Sequence, residues 1–431
     1  MNRHELAENL AVSITAGPWF VAEIAAVLER RLPPVMRKHA QMLAEDVYAA
    51  CRGAYAPPPR VAATALSDAY GFGWIYGYCR RYNRWPDSDL TPPRMAPVAA
   101  FADLPLPPMA TLDDLADWLG LPVERLNYYA DPSGRHETHG ETAINHYHYN
   151  LLPKRGGGVR LIEAPKQRHK ALQRRILRGV LDHVPAHPDA FGFVRGRNCL
   201  DAAARHAGEE VVIGLDVQNF FPGINGGRVL GLFRSLGYPH AVARCLTGLC
   251  TTRTPARVLV RLPAEQKILY QSVHLPQGAP SSPALANLVA FGLDTRLSAL
   301  ARSVGAHYSR YADDISFSGD KGIAGVLLHM AGDILRDEGF TPHPGKTRVM
   351  GAGGRQTVTG VVVNRHLNVT RQRFDRLKAV IHACGKPEDT RLQDPGFRAS
   401  LLGEIGWVAA VNPARGAKLY ALLDRRVAGS Q

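Results

Sequence analysis

Three aspartates set the question. Residues 308–319 read YSRYADDISFSG, which puts Asp313 and Asp314 side by side between aromatic and β-prone flanks. Residues 209–225 read EEVVIGLDVQNFFPGIN, where the apolar run Val211 to Leu215 ends at Asp216. A carboxylate closing a buried strand is costly unless something pairs with it. Adjacent aspartates, by contrast, are ordinary in a surface turn, because their side chains hydrogen-bond local backbone. A hard divalent cation reconciles the two segments, since Mg²⁺ takes one or two protein carboxylates and completes its octahedron with water and phosphate oxygens. Two such ions can activate an attacking hydroxyl and stabilise a leaving pyrophosphate, the logic of nucleotidyl transfer. The candidate catalytic residues and metal ligands are therefore Asp216, Asp313 and Asp314, with Val217, next to Asp216, named as a further metal ligand. Successive strand residues face opposite sides, so Asp313 and Asp314 need not both reach a metal; Asp313 is the stronger candidate.

The composition fits that chemistry. The 431 residues are 45% hydrophobic and 21% charged, ordinary for a folded protein long enough for two or three domains. Net charge is +14, from 52 Lys and Arg against 38 Asp and Glu. Such a balance favours a polyanionic partner, nucleic acid ahead of an anionic membrane surface, because each neutralised phosphate releases counterions. No uninterrupted apolar stretch approaches the roughly 20 residues that span a bilayer. Glu5 and Glu8 interrupt what would be the apolar core of a signal peptide, so a cytoplasmic protein is expected. Six cysteines without a CxxC pair indicate neither a disulfide framework nor a cysteine zinc site.

The elements that must position the carboxylates lie in the later part of the chain. Residues 1 to about 53 carry helical periodicity, with Val21, Ile24, Ala25 and Leu28 on one face, and Ala56 to Arg60 (APPPR) breaks it. The stretch 61–85 contains YGFGWIYGYCRRYNRW, and Thr91 to Met109 is a proline-rich linker. Thr111 starts a helix, with Asp113 and Asp114 in its first turn and Leu112, Leu115, Ala116 and Leu119 on one face. From there, strand-like and helix-like stretches alternate in a mixed α/β pattern. Residues 147–166 (YHYNLLPKRGGGVRLIEAPK) read as strand, glycine turn, strand, ahead of a basic amphipathic helix.

Read in order, DVQNFF (Asp216 to Phe221), LPQGAPSSP (Leu275 to Pro283), YADD (Tyr311 to Asp314), GKT (Gly345 to Thr347) and VTGVVVN (Val358 to Asn364) resemble the motif series of reverse transcriptases. The resemblance is to the retron type in particular. NCLDAAARH (Asn198 to His206) is similar to the NAxxH-type element of retron enzymes, with Cys199 in place of the usual Ala and a longer spacing to His206. VTG at Val358, Thr359 and Gly360 is the second such feature. The likeness covers roughly residues 111–431, and the first 110 residues have no counterpart in it.

The resemblance implies an α/β right-hand polymerase, with an antiparallel palm sheet and a mainly helical N-terminal extension. Its expected domains are an extension with linker at 1–110, fingers at 111–210, palm at 211–364 with part of the fingers at 226–270, and a basic helical thumb at 365–431. Phe221 would select deoxynucleotides by crowding a 2′-hydroxyl, and Gln277 would touch the incoming nucleotide. Gly278 and Pro280 shape the loop after it, and Ser282 to Asn287 open a helix whose first amides can face phosphate. Lys154 and Arg160 would close on the triphosphate with charge-assisted contacts, and Lys346 would sit near it. Asn198, His206, Val358, Thr359, Gly360, Arg371 and Arg373 are the expected nucleic-acid contacts. The implied reaction is template-directed DNA synthesis from deoxynucleoside triphosphates with two Mg²⁺ ions, Mn²⁺ being the substitute. The implied partners are a cognate structured non-coding RNA, which serves as template and primer, its RNA-linked single-stranded DNA product (msDNA), and a separate effector protein in anti-phage defence, with no membrane.

Two clusters stand outside this scheme. His136, His139, His146 and His148 lack a closed ligand spacing, so no zinc is expected. The aromatic and basic stretch Tyr70 to Trp85 reads equally as RNA-stacking residues or as the core of a small helical domain. Two other functions compete with the retron reading: a bacterial reverse transcriptase of the abortive-infection or diversity-generating class, and a non-catalytic RNA-binding scaffold. Synthesis without RNA would mark the abortive-infection class, and intact Asp216, Asp313, Asp314, Gln277 and Phe221 argue against the scaffold.

Overall fold

The apolar run before Asp216 forms the central strand of the sheet that carries the aspartates. In a computed structural model that describes residues 1–17, 19–51, 57–86, 93–131, 145–153, 158–343, 345–386 and 388–428, the strands are β1 (Tyr147–Pro153), β2 (Val159–Pro165), β3 (Val211–Gln218), β4 (His307–Tyr311), β5 (Asp314–Gly319), β6 (Thr341–Pro342), β7 (Arg348–Gly351), β8 (Thr357–Val358) and β9 (Val361–Val362). The chain divides into two compact units, Met1–Pro185 with Phe221–Val289, and Ala186–Phe220 with Ala290–Gln431.

The second unit holds a five-stranded antiparallel sheet in the order β4-β5-β3-β6, with β7 also paired to β3. Val211, Val212, Ile213, Leu215 and Val217 are all buried. Burial without alternation means that β3 is covered on both faces, which is why its sequence reads as a continuous apolar run. The helix Phe291–Ser303 packs on β4, and the helix Ala324–Asp337 packs on β6. Beyond the sheet, the β8–β9 hairpin and the helices Arg371–Ala383, Pro395–Val411 and Pro413–Ala428 close around Val358, Val361, Val363, Leu377, Ile381, Leu401, Ile405, Val408 and Leu419.

The first unit opens with five helices, Arg3–Ile14, Val21–Arg31, Ala40–Ala50, Pro59–Asp68 and Phe72–Tyr82, whose buried faces share one core around Leu6, Leu10, Ile24, Leu28, Leu43 and Phe72. The proline-rich linker is docked rather than loose. The Ala96 and Val98 amides donate to the Gly237 and Ser235 carbonyls, and a side chain on Gly237 would collide with Pro97 at 2.3 Å. Thr111 caps the helix Leu112–Leu119, and Asp114 returns a bond to its amide, a reciprocal capping box. β1 and β2 pair as an antiparallel hairpin from Tyr147↔Pro165 to Pro153↔Val159. The fold is thus mixed helices and antiparallel sheets with an N-terminal helical region. Among the described residues no single helix is long and apolar enough to cross a membrane, and all six cysteines are free thiols.

Candidate active site

Register brings the carboxylates together. β3 and β5 pair antiparallel with Asp216 opposite Asp314. Residues paired in this way project from the same face of a sheet, with Cβ atoms about 5 Å apart. Tyr311 pairs with Asp314, so Ala312 and Asp313 are the two central residues of the β4–β5 turn. Ala312 has φ 57° and Asp313 is not among the positive-φ residues, the pattern of a type II′ hairpin. The Asp313 carbonyl accepts the Val217 amide at 2.9 Å, which lays the turn against β3 immediately beside Asp216.

An alanine at positive φ is strained by about 1–2 kcal/mol, and the surroundings hold it there. Arg310, fully buried, forms a bidentate pair with buried Asp294 of the helix Phe291–Ser303, Nε to Oδ1 at 2.7 Å and Nη2 to Oδ2 at 2.6 Å. The Tyr308 hydroxyl donates to the same carboxylate at 2.7 Å. The guanidinium then reaches the turn itself, where Nη1 donates to the Ala312 carbonyl at 3.1 Å. From the other side, the chain at Gly192 lies so close that an added Cβ would stand 2.6 Å from the Ala312 nitrogen.

The electrostatics of the cluster favour a cation. Lys346 Nζ donates to Asp216 Oδ2 at 2.9 Å, and the His343 amide donates to the Asp216 carbonyl at 2.7 Å. Asp314 keeps an exposed side, yet its carboxyl is pushed up to about 6, first by desolvation and then by the charges of Asp313 and Asp216, with Lys346 and Arg348 pulling it partly back. Excess negative charge of this kind is what divalent ions relieve. Among the described residues no three His, Cys, Asp or Glu side chains form a closed cage. An open set of one or two carboxylates per ion suits a cation that retains water and phosphate ligands, so the donor set fits Mg²⁺. The Val217 side chain is buried and its amide is bonded to Asp313, which leaves its carbonyl as the group able to face an ion.

The expected nucleotide contacts Arg160, Phe221 and Gln277 belong to the first unit, and Lys154 lies outside the described residues. Arg160 is exposed on β2. Phe220 takes the core position, stacked on Phe340 at 5.7 Å, while Phe221 stays half-exposed. The Gln277 carbonyl accepts the Glu163 amide of β2 at 2.8 Å, and a Cβ on Gly278 (φ 127°) would press Ile162 and the Glu163 carbonyl at 3.1 and 3.2 Å. Beneath that junction, buried Glu163 bonds His274 Nε2 and the Thr254 hydroxyl, each at 2.7 Å. The loop bearing Gln277 is thereby pinned to the hairpin.

Of the expected nucleic-acid contacts, His206 and Val358 are buried, and the others keep a solvent-facing side beside their structural partners. His206 is fully buried between the Ser318 and Ser309 hydroxyls, at 2.8 Å from Nδ1 and 2.7 Å from Nε2, and cannot meet RNA directly. Burial pushes its imidazole down to about 3, and the charges of His307 and Arg205 add to this, so it is neutral. Asn198 caps the short helix Cys199–Ala204, accepting the Leu200 amide at 2.7 Å. Val358 is core, whereas Thr359 and Gly360, with φ of 50° and 82°, form the tip of a type I′ turn between the paired residues Val358 and Val361. The Thr359 hydroxyl donates to the Cys199 carbonyl at 3.0 Å, so the two retron-like segments meet. Arg373 is held by Glu404, with Nη2 at 2.9 Å, whereas Arg371 is almost fully exposed beside Asp375. Of the histidine cluster, His136 and His139 lie outside the described residues, and His146 stacks on His169 at 5.2 Å.

Arg310, Asp294, Gly192 and the Glu163–His274 pair were not singled out from the sequence. An arginine inside a β-prone aromatic run, YSRYADD, is the one signal that was available. A cation in a buried strand requires a buried partner.

A family model described as reverse transcriptase (RNA-dependent DNA polymerase) matches residues 152–372, just over half of the chain. The Retron Mx65 reverse transcriptase of Myxococcus xanthus is 40% identical over 327 residues, 74% of this chain and 73% of its own. The Retron Mx162 reverse transcriptase of the same organism is 36% identical over 72% of this chain and 65% of its own. The Retron Ec86 reverse transcriptase of Escherichia coli is 31% identical over 67% of this chain and 82% of its own.

Proposed function

Since the chain belongs to the retron reverse transcriptases and is an RNA-directed DNA polymerase, we propose that it copies a cognate structured non-coding RNA into RNA-linked single-stranded DNA, primed from a 2′-hydroxyl of that RNA. The observation that carries this reading is the convergence of Asp216, Asp313 and Asp314 at one end of the β3–β5 pair. A pure RNA-binding scaffold gains nothing from three carboxylates gathered where phosphates must come.

Asp216 and Asp313 would be the principal ligands of two Mg²⁺ ions, for which Mn²⁺ could substitute, with Asp314 and the Val217 carbonyl beside them. Bound there, the ions supply Lewis acidity to the attacking hydroxyl and charge neutralisation to the departing pyrophosphate. The chain's own residues bind and orient. Lys346, half exposed, offers its charge to the triphosphate, while Arg160 of β2, together with Lys154, grips it. Gln277 contacts the nucleotide, and the half-exposed Phe221 ring excludes a 2′-hydroxyl. Residues 111–210 serve as fingers, 211–364 as palm with part of the fingers at 226–270, and 365–431 as thumb, with 1–110 as an extension. Asn198, Thr359, Gly360, Arg371 and Arg373, which keep solvent-facing sides, are the RNA contacts. The reading extends to a cytoplasmic protein that acts with a separate effector chain in anti-phage defence.

The test is recovery of nucleic acid from the protein purified from cells carrying its native locus, treated with ribonuclease or deoxyribonuclease and resolved on a denaturing gel. A discrete DNA band that shortens after ribonuclease, and is missing in Asp313→Asn, is the expected result. RNA alone, or heterogeneous DNA without attached RNA, would overturn the reading.

A further inference from the structure

The helix Phe72–Tyr82 settles which side of the aromatic stretch is core. Phe72, Ile75 and Cys79 are fully buried in the N-terminal core. Trp74, Tyr78 and Tyr82, spaced four residues apart, form a stripe that flanks the buried face, with Tyr78 half-buried within it and Tyr70 just ahead of the helix. Tyr70, Trp74 and Tyr82 are 69%, 52% and 55% exposed. The rings are already arranged against one another: Tyr70 meets Trp74 edge-on at 5.0 Å, His39 lies 5.6 Å from Trp74, and Tyr78 lies 4.8 Å from Tyr82.

Packing does not explain this face. Gly73 and Gly77 lie on the exposed side, and a Cβ at either would meet nothing within 4 Å among the described residues. Glycine in a helix interior costs about 1 kcal/mol relative to alanine, and here no neighbouring group demands it. The two glycines instead leave bare helix backbone beside Trp74 and Tyr78 for something outside the domain to approach. A cluster of exposed aromatics on this scale marks a binding surface.

The charge around it selects the partner. Arg80, Arg81 and Arg84 follow the rings, the Arg81 guanidinium lies 5.6 Å from the centre of the Tyr82 ring, and no acidic residue occurs from Ala69 to Pro86. Two carboxylates border the N-terminal end of the stretch, exposed Asp68 two residues before Tyr70 and Asp46, which accepts the Tyr70 amide at 3.0 Å, so the positive charge lies at the C-terminal end. Aromatic faces for bases with guanidinium groups for phosphates are the two components of a single-strand binding platform. We propose that the aromatic stripe of Tyr70, Trp74, Tyr78 and Tyr82, with exposed Arg80 and Arg81 around the C-terminal end of the helix, binds unpaired RNA, a second RNA site in the N-terminal domain in addition to the polymerase centre. It is independent of whether the product is RNA-linked DNA, because binding is read without synthesis.

The test uses the full chain and a short thiouridine-labelled single-stranded RNA, with photo-crosslinked peptides mapped by mass spectrometry and affinity measured by fluorescence anisotropy. Adducts are expected within Tyr70–Tyr82, competed by unlabelled single-stranded RNA and poorly by duplex RNA. Trp74→Ala with Tyr82→Ala should weaken binding about ten-fold or more, in keeping with stacking energies per base. Arg80→Gln with Arg81→Gln should instead flatten the salt dependence of binding by about one to two phosphates. Extension of a preformed RNA–DNA primer–template should stay unchanged in both variants. Adducts confined to other segments with unchanged affinity, or duplex RNA competing as well as single strands, would overturn the proposal; the first outcome would leave the face for a protein partner.

Discussion

Lys346 and Asp216, 130 residues apart in sequence, meet in a hydrogen-bonded ion pair of 2.9 Å at the mouth of the carboxylate cluster. The lysine is half exposed and the aspartate nearly buried, so the flexible partner is the one able to leave. A cation arriving at Asp216 must compete with this ammonium, whereas an arriving triphosphate attracts it. Lys346→Met should therefore tighten Mn²⁺ binding to the nucleotide-free protein a few-fold, the equivalent of about 1 kcal/mol. The same variant should lower kcat/KM for deoxynucleotide incorporation by about ten-fold or more. Paramagnetic titration and steady-state primer extension check the two effects, and weaker Mn²⁺ binding would show that the pair does not compete with the metal.

The fully buried Arg310–Asp294 pair carries the YADD turn. Arg310→Met strands a carboxylate in the core and should cost about 3–5 kcal/mol in urea unfolding. Arg310→Met combined with Asp294→Leu should recover much of that stability, since neither charge remains unpaired, but not activity, because the Ala312 carbonyl still lacks its donor. Full recovery of polymerisation would remove the positioning role.

Gly192 tests the turn from its other side. Its Cβ would stand 2.6 Å from the Ala312 nitrogen and 3.1 Å from the Tyr311 carbonyl carbon, both backbone atoms that cannot rotate away. Gly192→Ala should shift Asp313 and cut the rate of primer extension about a hundred-fold, the order expected when a reacting group is misplaced by roughly 1 Å. RNA affinity should be retained, and a fall in both together would point to unfolding instead.

His206 gives the fold an acid limit. Burial pushes its imidazole down from the ordinary 6.5 to about 3 in the folded chain, and the charges of His307 and Arg205 add to this. A histidine depressed in this way contributes stability that is complete above 6.5 and is lost as pH falls toward 3. At pH 5 the loss should be about 2 kcal/mol, with His169 adding a loss of the same sign. His206→Gln, whose amide can bridge two hydroxyls without titrating, should flatten the decline in melting temperature between pH 7 and 5. An unchanged decline would assign the acid sensitivity elsewhere.

Much of the catalytic centre is written locally. An apolar run ending in Asp216 makes a buried strand that delivers a carboxylate at its end, and YADD between β-prone flanks makes a hairpin, because strand burial and turn chemistry depend on neighbouring residues. The order of such segments along the chain was enough to mark the polymerase family, and Thr111 with Asp114 was enough to place a helix start. The sequence could not say which basic and polar residues remain available to a ligand. Arg373 reads as a lone thumb cation until Glu404 is found shared between it and Arg376, His206 reads as an RNA contact until two serine hydroxyls enclose it, and Arg310 reads as nothing until Asp294 pairs with it. Those partners stand 31, 112 and 16 positions away, and long-range packing alone brings them together. The same holds for the helix Phe72–Tyr82, where periodicity allows two faces and only the docking of Phe72, Ile75 and Cys79 into the N-terminal core decides which rings are left to the solvent.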